Sequence, residues 1–187
     1  FCGDIDGDGL PEITFALYES MYAYYYSPSQ PSRMQKRHNH YPFGGTTGFN
    51  VFDLNQDGNN EIVYRGTDML YISDATALTD IVQLTSYSGA ITEYPVIADA
   101  NNDGHAEILV AHAYQPWAEP NILSKSYGCI SVYGSSVPGV WSTARRVWNQ
   151  WAYNTLAINE DLTVPRYHFN PTEVFPNGKR RFNNWLC

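Results

Sequence analysis

Three runs rich in β-branched and aromatic residues, Glu12-Ile-Thr-Phe-Ala-Leu-Tyr18, Glu61-Ile-Val-Tyr-Arg65 and Glu107-Ile-Leu-Val-Ala-His112, each stand directly behind a short polar stretch dense in Asp, Asn and Gly. Their composition predicts strands rather than helices. More apolar stretches flank them. Gly48-Phe-Asn-Val-Phe52 and Tyr94-Pro-Val-Ile-Ala98 precede the second and third polar stretch, and Met21-Tyr-Ala-Tyr-Tyr-Tyr26, Met69-Leu-Tyr-Ile72 and Gly128-Cys-Ile-Ser-Val-Tyr133 follow the strands. The same order of elements therefore recurs along the chain. Nowhere does an apolar stretch approach the ~20 residues that a bilayer-spanning helix needs.

The polar stretches are copies of one pattern: Asp4-Ile-Asp6-Gly-Asp8-Gly9-Leu-Pro-Glu12-Ile13, Asp53-Leu-Asn55-Gln-Asp57-Gly58-Asn-Asn-Glu61-Ile62 and Asp99-Ala-Asn101-Asn-Asp103-Gly104-His-Ala-Glu107-Ile108, with starts 49 and 46 residues apart. The spacing is that of a loop holding a hard cation by oxygen. Side chains at positions 1, 3 and 5 converge, Gly at position 6 permits the sharp turn, a carbonyl at position 7 points inward and the ninth residue closes the shell. The expected ligands are Asp4, Asp6, Asp8, the Leu10 carbonyl and Glu12 in loop 1. In loop 2 they are Asp53, Asn55, Asp57, the Asn59 carbonyl and Glu61, and in loop 3 Asp99, Asn101, Asp103, the His105 carbonyl and Glu107. All-oxygen donors in that number favour calcium, at three sites. An EF-hand is excluded, because its position-12 glutamate is replaced by Phe15, Tyr64 and Val110 and strands stand where its helix should be. A metal-free Asx-rich hairpin turn would explain one copy, but it gives no reason for a ninth-position Glu in all three.

A unit of about 47 residues with about four short strands is the size of a β-propeller blade. Over roughly residues 1–135 the sequence resembles the FG-GAP (integrin-α-like, or VCBS) repeat family, on the three D-x-[DN]-x-D-G-x-x-E-I loops quoted above. The resemblance implies an all-β fold of propeller blades, three with calcium loops plus an atypical C-terminal unit, as part of a larger, about seven-bladed propeller. The expected divisions are 1–47, 48–93 and 94–140, one loop in each, and an aromatic-rich capping segment over 141–187. Phe1-Cys2-Gly3 is too short to supply the strand that should precede loop 1, so the expectation is a portion of a larger assembly. Its exposed edges would be covered by the remaining blades or by another chain.

No fourth loop follows. Ser142–Asn154 carries no carboxylate, and with Ile158–Pro165 and Phe182–Leu186 it resembles the tail that accompanies such repeats in large surface proteins of Bacteroidetes and related bacteria. That resemblance implies a secreted or cell-surface location. Trp148, Trp151, Tyr153 and Trp185 are expected to cap the last blade, as terminal repeats require. The alternative is a sugar-stacking platform of Trp148, Asn149 and Trp151.

Charge adds one constraint. The chain of 187 residues has 11 Lys and Arg against 19 Asp and Glu, a formal balance of −8. A nucleic-acid-binding or lipid-docking role would call for a basic face. Ten of the nineteen carboxylates belong to the three loops, so the remainder of the chain is mildly basic. Its one strong basic cluster, Arg33-Met-Gln-Lys-Arg-His-Asn-His40, reads as a long inter-strand loop that an acidic glycan could meet. Cys2 and Cys187 could join the ends of the chain or pair outside it, and Cys129 is expected as a buried thiol. No hydrolase, metalloprotease, P-loop or dinucleotide motif is present, and the spacing of Glu93, Glu119, Glu160, Asp161 and Glu173 singles out no acid/base pair. The expected function is a non-catalytic, calcium-stabilised scaffold in adhesion or ligand binding, toward an extracellular glycan or protein. A polysaccharide-active enzyme and a lectin-like module are the alternatives.

Overall fold

The computed structural model describes residues 2–3, 5–6, 8, 10, 12–17, 20–25, 33–38, 49–66, 69–86, 94–112, 129–149 and 157–167. They form eleven strands in three antiparallel sheets. Sheet 1 runs in the order β1 (Cys2–Gly3), β2 (Glu12–Leu17), β3 (Ser20–Tyr25) and β4 (Arg33–His38). Sheet 2 follows as β5 (Phe49–Phe52), β6 (Glu61–Arg65), β7 (Met69–Asp74) and β8 (Thr79–Thr85), and sheet 3 as β9 (Val96–Ala98), β10 (Glu107–His112) and β11 (Cys129–Tyr133). Each strand pairs with its sequence neighbour, so every sheet is a meander. The three polar loops all fall on the hairpin between a sheet's first and second strands.

Sheet 2 lies in the middle. One of its faces packs Phe49, Val51, Ile62, Tyr64 and Tyr71 against Met21, Ala23 and Tyr25 of sheet 1, with Ile5 from loop 1. Its other face packs Val63, Leu70 and Ile72 against Ile97, Ile108 and Val110 of sheet 3, with Leu54 and Ala106 from the loops. Burial on both faces explains why β6 reads as an unbroken run with every residue buried. Bonds cross between the sheets as well. Tyr25 Oη donates to the Ala75 carbonyl (2.7 Å), Tyr133 Oη to the Thr85 carbonyl (3.2 Å) and Asn50 Nδ2 to the Pro95 carbonyl. Arg65, wholly buried, donates to the Ala111 carbonyl, so its charge is hydrogen-bonded where sheets 2 and 3 meet.

Three expectations are corrected. Arg33–His38 is a strand, β4, paired along its length with β3 and lying at the edge of sheet 1. Its charges suit an edge, where they discourage further pairing, and so disguised a strand as a loop. The residues ahead of loop 1 do supply a strand, cut to the two-residue β1, which pairs Cys2 with Ile13 and Gly3 with Glu12. Cys129 lies on the expected strand but is an exposed free thiol, because β11 ends sheet 3. His40 and Cys187 lie outside the described residues, and with Cys187 the pairing of Cys2.

Candidate metal centres

The three loops share a hydrogen-bond frame set by their sequence. The amide of loop position 2 donates to Oε2 of the position-9 glutamate: Ile5 to Glu12 (3.0 Å), Leu54 to Glu61 (2.7 Å) and Ala100 to Glu107 (2.8 Å). The amide of position 5 donates to Oδ1 of position 3, as Asp8 to Asp6 (3.2 Å), Asp57 to Asn55 (2.9 Å) and Asp103 to Asn101 (2.8 Å). The amide of position 7 donates to Oδ1 of position 5, as Leu10 to Asp8 (2.7 Å), Asn59 to Asp57 (2.7 Å) and His105 to Asp103 (2.8 Å). Such bonds let short Asx side chains dictate the turn. In loops 2 and 3 the position-6 amide also reaches position 1, Gly58 to Asp53 Oδ2 and Gly104 to Asp99 Oδ2, both at 3.1 Å. Gly58 and Gly104 have φ of 95° and 91°. A side chain there would be strained, so glycine at position 6 is a backbone requirement.

The frame turns carboxylate oxygens onto one another. In loop 1, oxygens of Asp6, Asp8 and Glu12 lie within 4.8 Å of one another. In loop 2, Asp53 Oδ1 is buried without a hydrogen-bond partner. Glu61 has its pKa raised to about 7, by burial first and then by the negative Asp53 and Asp57, against the lowering bonds from the Leu54 and Asn55 amides. Converging like charges, an orphaned carboxylate oxygen and a glutamate pushed toward its neutral form are what a cation would relieve. The donor set is all oxygen, which suits calcium. In loops 2 and 3 the position-3 residue is Asn. Its Nδ2 donates to Oδ2 of position 5 (3.1 Å in both) and to Oε1 of position 9 (3.1 and 2.9 Å), so an amide partly offsets the charge that Asp6 adds in loop 1. Asp4 lies outside the described residues.

Glu61 gives a pH test. A folded-state pKa above the unfolded 4.5 means that the folded calcium-free protein holds the extra proton; its contribution to stability is complete below about pH 4.5 and is lost as pH rises through about 7. His112, whose pKa is lowered by burial and by Arg65, works with the opposite sign, so the comparison is with Glu61→Gln. In calcium-stripped protein the melting temperature of wild type minus that of Glu61→Gln is expected to fall across this window. A flat or rising difference in calorimetry would contradict the burial described for Glu61.

The start of the segment expected to cap the last blade joins two of the loops. Residues 141–146 lie beside loops 2 and 3: the Ser142 amide donates to the Leu54 carbonyl (2.7 Å), and the Ser142 carbonyl accepts from the Ala106 amide (2.8 Å). The Arg145 carbonyl accepts from Asp99 (3.0 Å), Arg146 reaches Asn102 Oδ1 (2.6 Å), and His105 Nδ1 lies 3.0 Å from the Trp141 carbonyl. Trp141 and Ala144 also pack against the core between sheets 2 and 3. Of the expected capping residues, Trp148 is half-buried, Asn149 is exposed, and Trp151, Tyr153 and Trp185 lie outside the described residues. Glu160 is ion-paired with Arg145, and Asp161 has its pKa lowered by hydrogen bonds from Thr163. A general acid needs the opposite shift.

A family model described as an FG-GAP-like repeat matches residues 53–110, from the first residue of loop 2 to Val110 within β10. Sheet 1 and loop 1 lie outside that match, and loop 1 has the same hydrogen-bond frame as loop 2. In fold, the chain is similar to the crystal structure of the V. cholerae biofilm matrix protein Bap1, with a TM-score of 0.66 at 23% sequence identity. The likeness covers 83% of this chain and 24% of Bap1, so the chain spans about a quarter of that protein's length. No curated protein matches it in sequence.

Proposed function

We propose that this chain is a calcium-rigidified portion of a β-propeller in an extracellular bacterial surface or matrix protein, non-catalytic and acting in adhesion or as a ligand-presenting scaffold. The observation that carries the reading is the frame repeated in three loops, with the ninth-position glutamate clamped by the second-position amide each time. Asp4, Asp6, Asp8, the Leu10 carbonyl and Glu12 would hold one ion, and the corresponding residues of loops 2 and 3 one each. Calcium here would neutralise the converging carboxylates and fix each hairpin, contributing to folding without taking part in chemistry. The FG-GAP-like repeat supports the blade reading, with blades over 1–47, 48–93 and 94–140, and the fold likeness to a biofilm matrix protein supports an extracellular structural role.

Equilibrium dialysis against calcium, with metal analysis, is the test: three ions per chain are expected, and two for Asp57→Ala. A chain that retains no calcium, or an Asp57→Ala variant that retains as much as wild type, would refute the site assignment.

A further inference from the structure

Loops 2 and 3 are gripped by one and the same residue. The Ser142 amide donates to the Leu54 carbonyl at 2.7 Å, and the Ser142 carbonyl accepts from the Ala106 amide at 2.8 Å. Neither partner is itself an expected ligand, yet each stands between two. Leu54 lies between Asp53 and Asn55, and its own amide clamps the Glu61 carboxylate at 2.7 Å. Ala106 lies between His105, whose carbonyl is an expected ligand, and Glu107, whose carboxylate is another. The Ser142 backbone therefore bears on the spacing of ligands in both loops at once.

Its neighbours stiffen the connection. Thr143 forms a β-bridge with His105, the Trp141 carbonyl lies 3.0 Å from His105 Nδ1, and the Arg145 carbonyl accepts from the amide of Asp99, the first ligand position of loop 3, at 3.0 Å. Underneath, Leu54 and Ala106 are buried in one core, and Trp141 and Ala144 pack against that same core. A shift of residues 141–146 against loop 2 consequently disturbs loop 3 as well. Loop 1 is placed differently, because Ile5, its counterpart of Leu54, packs in the separate core between sheets 1 and 2, where Trp141 has no part.

We infer that residues 141–146 couple calcium binding at loops 2 and 3, with Ser142 as the bridging residue, so that an ion in either loop raises the affinity of the other. The inference rests on the calcium reading of the loops and adds to it a link between sites. Two arrangements of the segment differ in what they offer: docked, with both Ser142 bonds made, and undocked, with neither. With loop 2 occupied, Asp53 and Asn55 are fixed, and Leu54 between them keeps the place at which Ser142 bonds it. Docking then holds Ala106, and part of the cost of ordering loop 3 is met before its ion arrives. Linkage makes the effect reciprocal, with the same factor in each direction.

Calorimetric calcium titration of variants that combine Asp8→Ala, Asp57→Ala and Asp103→Ala measures the coupling. All three aspartates are exposed, so each change should disable its loop with the fold intact. Double variants keep one loop each and give the intrinsic dissociation constants. In Asp8→Ala, which keeps loops 2 and 3, the product of the two constants is expected to be smaller than the product of the intrinsic values by about five-fold or more. In Asp57→Ala, which keeps loops 1 and 3, the two products should agree within about two-fold. Adding Ser142→Pro to Asp8→Ala deletes the amide that bonds Leu54, and the product should then match that of the corresponding Ser142→Pro double variants; Trp141→Ala serves in its place if the proline variant does not fold. Single-loop variants that bind no calcium would overturn the calcium reading and the coupling with it. Single-loop variants that bind, with loops 2 and 3 together no tighter than their intrinsic product, would defeat the coupling alone. An equal excess for loops 1 and 3, or an excess that persists once the bridge is broken, would rule out residues 141–146 as its carrier.

Discussion

Removing calcium is expected to lower the melting temperature by about 8–16 °C. Extracellular calcium modules work with dissociation constants of roughly 10⁻⁴ to 10⁻³ M. At free calcium about ten times the weaker of these values, each site adds about 1.4 kcal/mol by mass action, and three sites about 4 kcal/mol. A chain of this size shifts by about 2–4 °C per kcal/mol. The structure gives the reason for the sign. Loop 1 brings three carboxylates within 4.8 Å, and loop 2 buries an oxygen of Asp53 without a partner. Those charges oppose one another in the folded chain and separate in the unfolded one, so the unfolded state gains when the ion leaves. Magnesium at the same concentration is expected to restore little, since it demands near-octahedral geometry and gives up its waters reluctantly. Identical melting curves in EDTA and in calcium would sink the proposed role of the loops.

Much of this arrangement was legible in the sequence because one short motif fixes both a loop and the strand behind it. The position-9 glutamate ends the loop and begins β2, β6 and β10, and the Asx residues at positions 3 and 5 set the turn through their own side chains. What stayed hidden lacked such local grammar. β4 carries its charges at an edge, where burial imposes no apolar pattern. Cys129 follows the composition of a core strand but lies exposed on the outer strand of sheet 3, and only the three-dimensional order of the strands tells an outer strand from an inner one. Likewise, nothing in the motif separates Ile13, 57% exposed at position 10, from Ile62, which is wholly buried there. Residues 141–146 hold their place largely by backbone amides and carbonyls, which any sequence offers, so the tail pattern over Ser142–Asn154 did not tell that they bridge loops 2 and 3.

Trp141→Ala is expected to cost about 2–3 kcal/mol and, more tellingly, to weaken calcium at loops 2 and 3 while leaving loop 1 as it was. The stability loss follows from removing a partly buried indole from the core between sheets 2 and 3, where large-to-small aromatic changes cost about 3–5 kcal/mol when burial is complete. The calcium effect follows from what the indole holds in place. Next to it, Ser142 bonds at once to Leu54 of loop 2 and Ala106 of loop 3, and the Leu54 amide in turn clamps Glu61. The Trp141 carbonyl meets His105, whose own carbonyl is an expected ligand of loop 3. With the indole gone, residues 141–146 lose their anchor, and both loops must be ordered by the ion itself, at the expense of affinity. Among the described residues these six make no hydrogen bond to loop 1, which serves as an internal reference. Calorimetric titration of wild type, Trp141→Ala and the exposed neighbour Val140→Ala separates the possibilities. Two weakened sites beside one unchanged site in Trp141→Ala, with Val140→Ala like wild type, is the expected pattern. Three sites weakened alike would mean that the indole supports only the general stability of the fold.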